Sequence, residues 1–148
     1  MPKTKPSRYS MHPGIARMGS DADKANYPRE ALEFVEAMYA GPRAVLRPIH
    51  DALEDLAFSI GSDIKLCPGK TIVPVYRNHV IAQIKPATRT RIDFGLALGK
   101  LSGKGRLLET GGYEKKDRIT HKIAVASLAD IDKELKDWLR KAYELDAS

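Results

Sequence analysis

The chain has 148 residues, enough for one domain with one core, and carries a formal net charge of +6. Its single cysteine excludes an intramolecular disulfide and the stapled architecture of small secreted folds. No run approaches the roughly 18 apolar residues of a membrane-spanning helix, and the basic start MPKTKPSR lacks the apolar stretch of a signal peptide, so a cytoplasmic protein without a membrane partner is expected.

Residues 1–26 read as a tail, with Pro2, Pro6, Pro13 and Gly14 and no visible period, and a single domain is expected over residues 27–148. A first helix is expected from Tyr27, capped by Asn26, with Pro28 in its first turn, where a missing N–H costs nothing. Leu32, Val35 and Tyr39 line one side of it, with Phe34 and Met38 beside them. Gly41-Pro42 stops that helix and starts a second, whose apolar stripe is Val45, Ile49, Leu53, Leu56 and Ile60, ending at Gly61.

Beyond Gly61 the apolar period changes from 3.6 to 2. Strands are expected over residues 63–66, 71–76, 79–85, 90–98 and 119–126. Pro74 argues for an edge or a bulge in the second of them. In the fourth, Ile92, Phe94, Leu96 and Leu98 share a face, and Arg91, Asp93, Gly95 and Ala97 share the other. Residues 99–118 hold five glycines among charges and read as one long mobile loop. Ser127 to Asp130 forms a capping box for a last helix striped by Leu128, Ile131, Leu135, Trp138 and Ala142. The expected fold is α+β: an antiparallel sheet of about five strands, with two N-terminal helices and one C-terminal helix on one face. Alternation then sends Gln83, Lys85, Arg91, Asp93 and Lys122 to the open face.

The charge is unevenly placed. Between Ile64 and Ala124 there are 13 basic and 4 acidic residues, whereas the remainder holds 12 basic and 15 acidic. Such a segment suits an anionic partner, and Lys70, Arg77, Lys85, Arg89, Arg91 and Lys122 are the candidate anion-binding residues. Gln83 and Tyr76 add polar or stacking contacts to that set. The ligand expected is a nucleic acid or a phosphorylated small molecule. Phe94 reads as core, so the sheet lacks the several exposed aromatics of a base-stacking platform. The ordinary alternative is an ion-pair network, with Asp93 answering Arg89 or Arg91.

Weaker catalytic candidates are Cys67, His79, His121 and Asp93, which need a cleft to gather a thiolate and its base. A lone cysteine at a strand end is more often a small buried hydrophobe. No pair among the four has metal-ligand spacing, and no metal or cofactor is expected. His50 and Asp51, adjacent on a helix, read as a surface pair. Gly99 to Gly105 lacks the Ser or Thr and the following helix of a phosphate-binding P-loop. A third reading is self-association through the tail or an edge strand, giving a homo-oligomer.

Three blocks carry a family resemblance: CPGKTIVPVYRNHVIAQIKPATRTRIDFGLAL, RLLETGG and KKDRITHKIAVASLADIDKELKDWLRKAYEL. Together with the second helix they cover residues 42–145 and resemble the bacterial domain-of-unknown-function 5655 family. The resemblance implies an α+β domain of this size and no established chemistry. Family members can follow a second small helical domain; with only the first helix and a tail ahead of the second helix, that partner is expected to be reduced or absent here.

Overall fold

The computed structural model describes residues 8–11 and 21–147 of the chain. Helix α1 spans Asp21–Met38, a 3-10 segment spans Gly41–Leu46, and α2 spans Arg47–Ile60. A six-stranded antiparallel sheet follows: β1 Lys65–Leu66, β2 Val73–Tyr76, β3 Val80–Pro86, β4 Ile92–Leu96, β5 Leu108–Glu109 and β6 His121–Val125. Helix α3 spans Lys133–Leu145. The spatial order is β1-β2-β3-β4-β6-β5. Ile92, Phe94 and Leu96 of β4 face the helices with Ile123 and Val125 of β6, all fully buried, and α3 crosses β3 and β4. The α+β class and the helix-covered face agree with the pattern of alternation; the strand count rises to six.

Local differences have local causes. Helix α1 starts at Asp21, not Tyr27, which leaves Pro28 inside the helix, beyond its first turn. Residues 41–46 wind as 3-10 turns of three residues, which rotates the phase. Leu46 therefore turns inward and Val45, expected in the stripe, is 71% exposed. The Ser127–Asp130 box forms, with the Asp130 carboxylate accepting from the amides of Ala126 and Ser127, but it closes only a short 3-10 turn. Helix α3 restarts under its own cap, Asp132, which accepts from Leu135 N at 3.1 Å.

The stretch read as a mobile loop is a built hairpin arm. Leu107 is buried, Leu108 and Glu109 pair with Lys122 and His121, and Thr110 N donates to Thr120 O at 3.0 Å. Gly111 and Lys116, at φ of 81° and 61°, turn the tip. Pro74 lies in β2, an interior strand, where its carbonyl accepts from Cys67 N at 3.2 Å just past the end of β1, and a register shift follows between Val75 and Tyr76.

One residue beyond the sheet ties the end of the chain to it. At the end of α3, Asp146 accepts from Asn78 N and His79 N at 2.8 Å each and from the His79 ring at 2.7 Å, which pins the β2–β3 turn. Burial disfavours the Asp146 carboxylate, yet the hydrogen bonds from His79 and Asn78 outweigh it and hold its pKa below the ordinary value. A carboxylate with a depressed folded pKa stabilises the fold above its unfolded pKa, and that contribution vanishes as pH falls through the folded one. Asp63, lowered first by the Tyr143 hydroxyl, and Asp132, lowered first by the Leu135 amide, act in the same direction. Urea midpoints are therefore expected to drop from about pH 5 down to about pH 2, and more shallowly in Asp146→Asn. An equally steep fall in the variant removes Asp146 from that account.

Candidate functional site

On the open face the register places Pro74, Gln83, Gly95 and Lys122 in one row across four strands, and Lys85 beside Asp93 in the next. Gly95 leaves a floor without a side chain. The hairpin arm leans over it, so that a Cβ at Gly95 would meet Ile119 Cγ2 at 2.8 Å and Gln83 Cγ at 2.9 Å. Between arm and sheet lies a cleft of about 490 Å³, within the size range of small-ligand sites. Lys85, Lys115, Arg118 and Lys122 line it against only Asp93 and Asp117, and Gln83 and the Thr110 hydroxyl add neutral polar groups. A larger groove of about 1280 Å³ on the other side of the arm is balanced, with Lys100, Lys116 and Arg118 against Glu109, Glu114 and Asp117. The excess of positive charge belongs to the smaller cleft.

The six expected anion-binding residues do not form one patch. Lys85 and Lys122 reach the cleft, and Arg91 sits on the same face with its Nε donating to Asp93 at 2.9 Å. Lys122 Nζ shares that carboxylate at 3.6 Å, so part of this charge is answered internally. Lys70 and Arg89 stand exposed in the turns flanking β2 and β4. Arg77 belongs elsewhere: its guanidinium covers the Tyr143 ring at 3.8 Å and bonds Asp63 at 2.9 Å. Lys115 and Arg118 of the arm complete the cleft. Their part in it was hidden because the glycine-rich stretch gave no sign of folding back.

The four catalytic candidates are not brought together. Asp93 faces the open side, while His121 faces the helices, two positions that β-sheet alternation separates. His121 is fully engaged, with Nε2 donating to Leu101 O and Nδ1 against the Thr120 hydroxyl, both at 2.7 Å. His79 is bound to Asp146. Cys67 follows β1, at the opposite end of the sheet from β6, and its thiol donates to Ser10 O at 2.8 Å.

A different polar cluster, hidden from the sequence reading, lies in the core. His50, read as half of a surface pair with Asp51, is fully buried on α2 and bonds Glu54 Oε2 at 2.7 Å, because the i, i+4 spacing sets both on the inner face. The Tyr39 hydroxyl meets His50 Nδ1 at 2.6 Å, and the Tyr9 hydroxyl donates to both Glu54 oxygens at 3.0 and 2.9 Å. Arg8 Nε stands 3.5 Å from the same carboxylate. Burial, and then the Glu54 charge, push the phenols of Tyr9 and Tyr39 far above their ordinary pKa, so both stay protonated. No buried side-chain nitrogen or oxygen among the described residues lacks a partner. His50, Asp51 and Glu54 place ligand atoms within 4.8 Å of one another, but Asp51 is bonded to Arg47 and Glu54 is bonded by two donors beside Arg8, which does not suit a divalent cation.

The family described as Domain of unknown function (DUF5655) matches the chain over residues 35–146. No curated protein and no solved structure matches.

Proposed function

The chain belongs to that DUF5655 family, and from the open face of its sheet we propose that it is a non-catalytic module binding a small anionic ligand, phosphate-bearing, in the cleft above Gly95. The observation behind this reading is the four-to-two excess of cations over carboxylates, among the described residues, around a half-open cleft of about 490 Å³. Lysines on strands hold a defined geometry, and the arm partly shields their charges from water, which strengthens attraction for a phosphate. A small ligand is favoured over a nucleic acid because Arg77 is diverted to Asp63 and Tyr143, so among the described residues it does not extend the basic lining of the cleft along a backbone. The reading includes a cytoplasmic location, in keeping with a lone cysteine used as a buried core group.

Titration with pyrophosphate at low salt, followed by calorimetry, tests it. Saturable binding is expected, and Lys85→Glu with Lys122→Glu is expected to weaken it at least about tenfold, the equivalent of ~1.4 kcal/mol. No saturable binding, or equal binding by the double variant, overturns the reading. Tighter binding of a single-stranded oligonucleotide with a steep salt dependence would replace it with the polymer.

A further inference from the structure

In the N-terminal segment 8–11, Arg8 lies in a 3-10 turn and Tyr9 and Ser10 then run along the outer edge of β1. Tyr9 pairs with Leu66 in a parallel bridge, Ser10 N donates to Leu66 O at 3.1 Å, and the Cys67 thiol donates to Ser10 O. Main-chain bonds to a sheet edge, with one side chain sunk in a pocket, are how domains capture extended peptides. Here the sunk side chain is Tyr9, 1% exposed, whose hydroxyl ends on Glu54. Its neighbour Arg8 bonds Asp55 at 2.7 Å and lies over the Phe58 ring at 5.1 Å.

Glu54, Asp55, Phe58 and Leu66 fall within the residues that match the family, while the occupant falls outside them. Glu54 is also held by His50 independently of Tyr9, so the acceptor keeps its place when the segment leaves. We propose that the groove between the β1 edge and α2 is a peptide-binding site for a short segment carrying Arg-Tyr, with the tyrosine bridged to the sheet edge, and that residues 8–11 fill it as an internal ligand. Backbone pairing supplies sequence-independent attraction. The selective element is Glu54, which a phenylalanine in the tyrosine position leaves short of a donor.

The test uses full-length Tyr9→Ala, which vacates the pocket, and a labelled hexapeptide Pro-Ser-Arg-Tyr-Ser-Met read by fluorescence anisotropy. The variant is expected to bind it at least about tenfold more tightly than the wild type, and to bind the Phe-for-Tyr peptide at least about tenfold more weakly. A folded variant that ignores the peptide, or holds both peptides equally, overturns the proposal. So does a dimer forming in place of the peptide complex, because the groove then serves copies of this chain. If Tyr9→Ala does not fold, Cys67 reports instead. Tyr9→Phe is expected to react with a thiol reagent under native conditions at least about tenfold faster than wild type, and excess hexapeptide is expected to slow it. Equal rates overturn the proposal.

Discussion

Glu54→Ala is expected to cost about 3–5 kcal/mol of folding free energy, among the largest losses of any single side chain here, read as a lowered urea midpoint with an unchanged slope. The change does more than remove one acid. It strands the hydroxyl of Tyr9 and the Nε2 side of His50 in a fully buried site, and leaves the Arg8 guanidinium without its inner partner. Each stranded buried donor costs about 1–3 kcal/mol, because water cannot reach in to replace the lost acceptor. Glu54→Gln keeps the volume and one acceptor oxygen and is expected to lose less, about 1–3 kcal/mol. A loss below about 1 kcal/mol for the alanine variant would show that the core tolerates the cluster unsatisfied.

The second large effect separates the two faces of one strand. Phe94 and Gly95 are neighbours on β4, but Phe94 is fully buried under the helices and Gly95 floors the cleft. Phe94→Ala is expected to cost about 3–5 kcal/mol, since the centre of a sheet flanked by β3 and β6 cannot collapse into the space. Gly95→Ala is expected to cost only about 1–3 kcal/mol, as its methyl group pushes on the side chains of Ile119 and Gln83. The ranking reverses for pyrophosphate: Gly95→Ala shifts the arm and weakens binding, whereas folded Phe94→Ala binds normally. Chemical denaturation and the same calorimetric titration read both, and binding untouched by Gly95→Ala would detach the cleft from the ligand.

Most of the layer arrangement was legible because its signal is periodic. Strand β4 alternates cleanly, β6 repeats the pattern, and the register that joins them puts Lys85, Asp93 and Lys122 where alternation sends them. What escaped was short or long-range. Strand β5 is two residues long, too brief for any period, and its place is decided by β6. Arg77 carries the same local signal as Lys85, but its partners, Asp63 and Tyr143, come from other parts of the chain. His50 and Glu54 had a readable spacing on α2, yet a histidine and an acid on an amphipathic helix ordinarily face water. The tyrosine that makes their burial affordable stands 45 residues away from Glu54, in a segment with no period of its own.

The shortness of β5 and β1 also bears on aggregation. Unpaired strand rims are templates on which foreign chains add, and this sheet ends in two strands of two residues each, one of them overlaid by Tyr9 and Ser10. Tyr9 and Ser10 therefore act as a clasp over one of those rims. Whatever lifts that clasp without replacing it also uncovers the backbone of Leu66, turning an exchange of peptides into a risk of fibre-like stacking.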